Sequence, residues 1–130
     1  MVIGTGIDIV KISRIEGIVE RKGESFFNKI FTTREREYIN AKNRNAQTIS
    51  GLFASKEAVS KLLGRGIGLV NWKDIEILHD KYNKPYVQLH GEGENLKIEM
   101  AIDEIHLSIS HEKDYAIAFA VGETCKRGIL

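Results

Sequence analysis

Glu57 and Lys61 carry side chains that could act together in phosphate chemistry, because they lie only four residues apart. They belong to the segment Phe53–Lys61, FASKEAVSK, which we predict to be helical, and residues at this spacing project from one helix face. A carboxylate can supply a hard oxygen ligand to a metal ion, and an ammonium group can bind phosphate. The same spacing is also typical of an ion pair that merely supports a solvated helix. The pair is therefore a candidate metal and phosphate site that needs support from elsewhere in the chain.

A second carboxylate, Asp8, lies within the segment Val2–Val10, whose alternation predicts a β-strand. Three isoleucines share one face of this strand, and Asp8 lies on the other face with Gly4 and Gly6. Burying a lone carboxylate is costly unless another group pairs with it. Because the two glycines have no side chains, another element can approach closely beside Asp8.

The composition limits the classes of protein to be considered. The chain has 130 residues, of which 42% are hydrophobic and 28% charged, as in an ordinary folded domain. Nineteen basic and 18 acidic residues give a net charge of +1, which argues against a dedicated nucleic-acid binder. The single cysteine, Cys125, permits neither an intrachain disulfide nor a cysteine-based zinc cluster. Because we find no apolar run of about 20 residues and no signal-peptide pattern, we expect a cytoplasmic protein without a membrane partner.

The order of the predicted elements favours an α+β fold in one small domain, residues 1–130. Ser13 with Glu16, and Thr32 with Glu35, each have the spacing of a helix-capping box. We expect a mainly antiparallel sheet packed with the helices of the N-terminal half. After the first strand, the predicted helices run from Ser13 to Gly23, Thr33 to about Lys42, Gln47 to Gly64 and Glu92 to Ala101, and the predicted strands from Ile75 to Asp80, Tyr86 to His90, Ile105 to Ser110 and Tyr115 to Val121.

Three segments together resemble one known family: Gly6–Val10 (GIDIV), Phe53–Ala58 (FASKEA) with Lys61, and Ser108–His111 (SISH). In motif order, motif separation and total length, the chain is similar to the holo-acyl-carrier-protein synthases, the small single-domain 4′-phosphopantetheinyl transferases. The resemblance implies transfer of phosphopantetheine from coenzyme A to a serine of apo acyl carrier protein, releasing adenosine 3′,5′-bisphosphate. It also implies a need for magnesium and a homotrimer with active sites at the subunit interfaces.

The resemblance assigns the reacting centre to four residues. Asp8 and Glu57 match the family's two metal-binding carboxylates, and Lys61 matches a lysine directed at the coenzyme A phosphates. His111 matches a histidine that contributes to coenzyme A binding and to proton handling. The base that activates the carrier serine is then Glu57, or a metal-bound water that Glu57 orients, with His111 as the second candidate.

Further residues match positions that bind coenzyme A in the family. Gly66 lies in a glycine-rich loop, residues 64–68, whose backbone N–H groups are expected near the pyrophosphate. This loop follows a helix, so it is not the Rossmann or Walker arrangement, in which the glycines precede one. Asn83 and Pro85 match a loop that lies against the adenine, and Ser110 belongs with the following histidine to the family's Ser-His pair.

The predicted first helix carries a basic face that matches the family's docking surface for acyl carrier protein. Arg14 and Arg21 lie seven residues apart on one face, and Ile18 between them would add an apolar contact. Without the resemblance, a solvated basic face would be the simpler interpretation.

The chain departs from the family pattern at two positions. Leu52 stands where the family often has an arginine before the phenylalanine of the central motif, so Lys42, Arg44 or Arg65 would have to replace any phosphate contact of that arginine. Glu112 stands where the family often has a small hydroxyl residue, and a carboxylate is unfavourable near phosphate unless it points away.

Two other functions remain open from the sequence. One is a non-enzymatic module that uses the basic helix to bind an acidic protein or nucleic acid, although the net charge of +1 speaks against it. The other is a metal-dependent hydrolase of coenzyme A or another nucleotide, which would use the same carboxylates without any carrier protein.

Overall fold

The computed structural model describes residues 1–64 and 70–125, and it has the α+β architecture predicted from the sequence. Among the described residues, four of the five α-helices lie between the first and the second strand. The elements are β1 (Val2–Lys11), α1 (Ile12–Lys22), α2 (Glu24–Ile30), α3 (Thr33–Ala41), α4 (Ala46–Leu62), a 3₁₀ helix (Trp72–Asp74), β2 (Ile75–His79), β3 (Pro85–Leu89), α5 (Gly91–Glu99), β4 (Glu104–His111) and β5 (Tyr115–Glu123).

The strands form two antiparallel sheets rather than one. The larger sheet has the order β1-β5-β4, and β2 pairs with β3 in a hairpin. In the larger sheet Asp8 is opposite Ala118, and Ala118 is opposite Ile109. His111 is opposite Ala116, which precedes Ala118 by two residues in β5. Since side chains alternate along a strand, Asp8, Ile109 and His111 all project from the same face of this sheet.

Helix α4 packs against that face at unusually short range. A Cβ atom built on Gly6 would lie 1.9 Å from the Ala58 carbonyl oxygen and 2.7 Å from the Leu62 backbone nitrogen, so only glycine fits there. The central strand β5 contributes small side chains to this contact, and all three are fully buried: Ala116, Ala118 and Ala120. The close approach predicted beside Asp8 is confirmed, and α4 is the element that makes it.

One of the two predicted capping boxes is correct. The Thr32 side chain accepts a hydrogen bond from the Glu35 backbone N–H, while Glu35 accepts one from the Thr32 N–H. The prediction for Ser13 is wrong: α1 begins one residue earlier, at Ile12, and Lys11 occupies the N-cap without a side-chain hydrogen bond. Strand β1 runs directly into α1 here, and the first residue of the helix donates its N–H to the Asp114 carbonyl instead.

The face of the larger sheet that points away from α4 is apolar and exposed. The Ile7 and Ile9 side chains of β1 are 53% and 60% exposed, although they are the hydrophobic face of the strand. Ile7 is opposite Phe119 on β5, and Phe119 and Tyr115 are each 42% exposed. Large apolar side chains on two adjacent strands thus form a continuous patch, which we call the outer sheet face. A patch of this kind on a folded protein usually marks an interaction surface.

In the part of the chain that the structure describes, no helix combines the length and the apolar character needed to cross a membrane.

Candidate active site

Strand β1 and helix α4 bring Asp8 and Lys61 into contact. The Lys61 Nζ donates to Asp8 Oδ1 at 3.1 Å and to the Ile7 carbonyl oxygen at 2.9 Å. The Asp8 side chain is 18% exposed and the Lys61 side chain 52% exposed, so the pair lies at the protein surface. The sequence left open a simple ion pair between Glu57 and Lys61, but the partner that Lys61 contacts is the carboxylate of another element.

Glu57 lies one helical turn before Lys61 on α4 and shares the electrostatic environment of Asp8. Partial burial raises the pKa of the Glu57 carboxyl group, and the negative charge of Asp8 raises it further. The positive charges of Lys61 and Arg14 act on this pKa in the opposite direction. Two carboxylates and two cations therefore lie within range of one another, and we call these four residues the charge cluster.

On the other side of α4, a groove of about 710 Å³ opens between α3, α4, β4 and the β2–β3 loop. Its lining includes Asn83, Pro85 and His111, three of the residues predicted to bind coenzyme A. Lys42 and Lys84 also line the groove, and none of the described residues that line it is an aspartate or a glutamate. The groove is thus a cationic and partly apolar cleft that suits an anionic organic ligand.

Tyr38 of α3 and His79 of β2 form one wall of the groove, and sequence reasoning did not identify either residue. Their rings stack with centroids 3.8 Å apart and planes within 2° of parallel. The Tyr38 hydroxyl donates to Asn83 Oδ1 at 2.9 Å, which ties the wall to the β2–β3 loop. Asn83 has a φ of 63°, and the loop is held by Asp80, whose carboxylate accepts from the backbone N–H of Lys84 at 2.9 Å. The β2–β3 loop is therefore held in place by hydrogen bonds within the protein.

The groove and the charge cluster lie on different sides of α4. Gly51 of α4 packs on Ile109 of β4, since a Cβ atom there would lie 3.1 Å from the Ile109 side chain, and Ala58 packs on Gly6 of β1. The helix thus crosses the sheet from β4 towards β1. Gly51 in the groove and Glu57 in the cluster are six residues apart, which is roughly 9 Å along the helix and about 120° around it.

The two departures from the family pattern have distinct structural outcomes. Leu52 is buried and contributes to the lining of the groove, and Lys42, one of the basic residues named above as a replacement, also lines it. Arg44 is committed elsewhere: its guanidinium bonds Glu24 Oε1 at 2.9 Å and lies over the Phe27 ring. Arg65 and Gly66 fall outside the described residues.

Glu112 does not point into the groove. Its carboxylate accepts hydrogen bonds from the backbone N–H groups of Asp114 at 2.8 Å and Tyr115 at 3.0 Å. The side chain thus caps the β4–β5 turn. Ser110 is an exposed residue opposite Ile117, so by strand alternation it projects from the outer sheet face, whereas His111 projects from the opposite face.

Arg14 and Arg21 are exposed on α1, as the sequence predicted, and Ile18 between them is half-buried against the core. Because the charge of Arg14 affects the Glu57 pKa, this basic face adjoins the charge cluster. A partner that docks on α1 would therefore lie beside the two carboxylates.

A separate group of two glutamates and one histidine lies apart from the predicted site. The potential ligand atoms of Glu104, His106 and Glu123 lie within 4.8 Å of one another, and the sheet register places these residues on the outer sheet face. His106 Nε2 is 2.9 Å from Glu123 Oε1, so this group is satisfied by its own hydrogen bonds.

Comparison with known proteins decides the family of this chain. A sequence model described as the 4′-phosphopantetheinyl transferase superfamily matches residues 4–120. The chain belongs to this superfamily. The resemblance predicted from the sequence is thereby confirmed, and the protein is an enzyme rather than a non-enzymatic binding module.

Individual relatives of this transferase cover nearly its whole length. A holo-[acyl-carrier-protein] synthase from Halothermothrix orenii is 46% identical over 123 residues, which are 95% of this chain and 98% of that protein. The crystal structure of holo-ACP-synthase from Plasmodium yoelii matches with a TM-score of 0.84 and 36% identity, over 97% and 98% of the two chains. The Helicobacter pylori holo-[acyl-carrier-protein] synthase, solved in complex with coenzyme A, matches with a TM-score of 0.81 and 36% identity, over 92% and 99%.

Lys56 of the transferase has a structural role that its position beside Glu57 did not reveal. Its side chain is fully buried, and its Nζ contacts Glu35 Oε1 at 2.7 Å. The same Nζ donates to the carbonyl oxygens of Ile75 at 2.6 Å and Trp72 at 3.0 Å. Lys56 therefore joins α4 to α3, the 3₁₀ helix and β2, and it points away from the charge cluster that its neighbour Glu57 enters.

Proposed function

We propose that this transferase moves 4′-phosphopantetheine from coenzyme A to a serine of apo acyl carrier protein, in a magnesium-dependent reaction that releases adenosine 3′,5′-bisphosphate. The observation that carries the proposal is the charge cluster: a chain of this superfamily places Asp8, Glu57 and Lys61 together on β1 and α4. The cationic groove nearby and the coenzyme A complex of the Helicobacter pylori relative support coenzyme A as the donor.

The donor set of the cluster fits magnesium. Mg²⁺ prefers hard oxygen ligands, keeps several of its waters and is commonly bound by one or two carboxylates together with substrate phosphates. Asp8 and Glu57 supply two carboxylates that are only partly buried, which leaves space for waters and phosphate oxygens. When bound, the ion would withdraw negative charge from the pyrophosphate.

The residues of the cluster would then divide the reaction between them. Glu57 has a burial-raised pKa, which makes its carboxylate a stronger base, and we assign it to take the proton of the carrier serine hydroxyl. The serine oxygen forms a bond to the phosphorus that bears pantetheine, and the bond from that phosphorus to the bridging oxygen breaks. Lys61 stabilises the negative charge that this oxygen acquires on the leaving nucleotide. His111 lines the groove and is assigned to coenzyme A binding rather than to proton transfer.

The groove would hold the nucleotide end of coenzyme A. Asn83 and Pro85 would contact the adenine, and His111 a phosphate. In the absence of an arginine at Leu52, we assign the terminal phosphate to Lys42, because Arg44 is bound to Glu24. Gly66 remains a proposed contact of the pyrophosphate. Ser110 remains a proposed contact of coenzyme A bound at a neighbouring subunit.

A trimer with shared active sites is part of the proposal. A nucleotide in the groove would have to cross α4 to reach the charge cluster of its own chain, whereas a neighbouring chain could present its groove directly. The outer sheet face, with Ile7, Ile9 and Phe119 exposed, is the surface that we assign to contact between subunits. Ser110 projects from this same face, so it would lie at the subunit contact.

The acyl carrier protein would dock on α1. Arg14 and Arg21 would pair with acidic side chains of the carrier, and Ile18 would add an apolar contact. Such charge complementarity mainly accelerates association and weakens as salt is added. Since Arg14 adjoins Glu57, this docking would bring the carrier serine towards the proposed base.

Intact-mass spectrometry tests the proposal directly. Apo acyl carrier protein is incubated with the transferase, coenzyme A and Mg²⁺, with an EDTA sample and a Glu57→Gln sample as controls. We expect the carrier to gain one phosphopantetheine only with wild-type enzyme and free metal. Coenzyme A cleavage without carrier would instead indicate a hydrolase, and normal turnover by folded Glu57→Gln would refute the role of Glu57.

A further inference from the structure

Lys61 contacts Asp8, one of the two proposed metal ligands, and this contact has a consequence for how the metal and coenzyme A would bind. The Lys61 ammonium donates to Asp8 Oδ1 at 3.1 Å, so it lies directly against one of the two proposed metal ligands. The Ile7 carbonyl, at 2.9 Å, holds the ammonium in this position. The ammonium thus lies where it would repel a divalent cation that approaches Asp8.

The wider charge cluster strengthens this repulsion. Asp8 and Glu57 carry two negative charges, and Lys61 and Arg14 carry two positive charges that both act on Glu57. The cluster is therefore close to neutral in the free protein, and it offers little net attraction to Mg²⁺. A pyrophosphate brings about two further negative charges, and it can accept hydrogen bonds from Lys61 in place of Asp8.

We propose that Lys61 forms an ion pair with the Asp8 carboxylate in the free enzyme and moves to the pyrophosphate when coenzyme A binds. The metal ion and coenzyme A would then each strengthen the binding of the other. The inference deepens the proposed function and rests on it for the identity of the metal ligands. Lys61 then has two partners in turn: Asp8 before substrate binding, and the substrate phosphate afterwards.

The exposure of the Lys61 side chain makes this exchange feasible. The side chain is 52% exposed, and an ammonium group on a four-carbon stem can turn without any change in the backbone. The Asp8 carboxylate, by contrast, is 18% exposed on a strand that α4 holds through Gly6. Lys61 is therefore the partner that moves, and Asp8 is the one that stays.

The test measures metal binding rather than activity. Mn²⁺, as a spectroscopic substitute for Mg²⁺, is titrated into wild-type enzyme and Lys61→Met by electron paramagnetic resonance, without coenzyme A. Two unit charges 4 Å apart in water interact with an energy equivalent to about a fivefold change in a binding constant. Because the ion is divalent and Lys61 can turn away from it, we expect Lys61→Met to bind Mn²⁺ about three- to thirtyfold more tightly than wild type.

Two variants serve as matched controls. Lys61→Arg keeps the positive charge and should bind Mn²⁺ within about twofold of wild type. Lys22→Met removes an exposed lysine from the last turn of α1, which is the same change in net charge away from Asp8, and should also match wild type. Thermal melting of all four proteins establishes that each is folded.

A second measurement tests the coupling. By reciprocity, coenzyme A should tighten Mn²⁺ binding to wild type by the same factor by which Mn²⁺ tightens coenzyme A binding. That factor should be smaller in Lys61→Met, after correction for Mn²⁺ bound by coenzyme A in solution. Equal or weaker Mn²⁺ binding by Lys61→Met, or no Mn²⁺ binding by either protein, would overturn the inference. Failure of wild-type enzyme to modify the carrier would instead overturn the proposed function, whatever the metal titration shows.

Discussion

The buried ion pair between Glu35 and Lys56 allows a quantitative prediction about stability. Both side chains are fully buried, and the pair is joined at 2.7 Å. Lys56 also satisfies the carbonyl oxygens of Trp72 and Ile75, while Glu35 accepts from the Ile77 backbone N–H at 2.7 Å. The substitution Lys56→Met therefore removes the cation that is paired with the buried Glu35 carboxylate, and it removes one hydrogen bond from each of the two carbonyl oxygens.

The expected loss follows from these contacts. Removing one partner of a buried ion pair typically costs about 3–5 kcal/mol, which is a large part of the ~5–15 kcal/mol stability of a typical domain. At this chain length it corresponds to a fall in Tm of roughly 10–20 °C. The double variant Glu35→Gln/Lys56→Met removes the uncompensated charge, and Gln keeps the capping position at the start of α3. We expect it to recover at least about 1 kcal/mol of the loss.

The free energy of unfolding is measured by urea titration, monitored by the fluorescence of Trp72. Trp72 is the sole tryptophan, and its ring packs on that of Phe53 with centroids 5.0 Å apart. Lys29→Met makes the same change at an exposed helical site and should stay within about 0.5 kcal/mol of wild type. The reasoning is refuted if Lys56→Met loses less than about 1 kcal/mol, or if the double variant is no more stable than the single one.

The dependence of this loss on pH has a definite sign. Burial raises the pKa of Glu35, and the charge of Lys56 opposes that rise. Without Lys56, the folded-state pKa of Glu35 lies further above its unfolded value. The deficit of Lys56→Met should then be smallest below the unfolded pKa of glutamate and grow as pH rises through the folded pKa. A stability deficit that is constant with pH would mean that removing Lys56 leaves the folded-state pKa of Glu35 unchanged, which would contradict this reasoning.

Three further outcomes are expected. Gly6→Ala should destabilise the protein by about 3 kcal/mol or more, because its Cβ would lie 1.9 Å from the backbone oxygen of Ala58, and thermal melting would contradict this if Tm were unchanged. Phe119→Asp places a charge on the outer sheet face, so sedimentation analysis should find monomers in place of the trimer proposed for the wild type; a variant that sediments like a trimeric wild type would exclude this face as the contact. In the metal-free protein, the pKa of the Glu57 carboxyl group should lie above that of an ordinary glutamate, because burial and then Asp8 raise it; an NMR titration that finds it at or below the ordinary value would contradict the arrangement of the charge cluster.

The sequence predicted the elements of the fold well where local signals are strong. The Thr32–Glu35 capping box and the glycine stop at Gly23 both lie where the pattern placed them. The prediction for Ser13 failed because β1 leads directly into α1: the helix begins at Ile12, so Ser13 lies within its first turn rather than at the N-cap. Alternation also separated the isoleucines of β1 from Asp8, but it could not indicate that the isoleucine face is the exposed one.

The candidate site was only partly predictable, because its contacts join residues that are distant in the chain. The spacing of Glu57 and Lys61 predicted a shared helix face, yet the contact of Lys61 is with Asp8. Tyr38 and His79 belong to different elements and meet only because α3 packs on β2. No local pattern marks such a pair.

The close contact at Gly6 has a consequence for how this site can change over evolutionary time. Gly6 touches the backbone beside Glu57 and Lys61, since Ala58 and Leu62 are the next residues of α4. The spacing between the two proposed metal-binding carboxylates is thus determined by the contact between the main chain of β1 and the main chain of α4. Substitutions elsewhere in the core can therefore change the size of hydrophobic side chains without altering that spacing. Sequence divergence should accordingly be wider among the hydrophobic residues of the core than at Gly6, a residue that has no side chain at all.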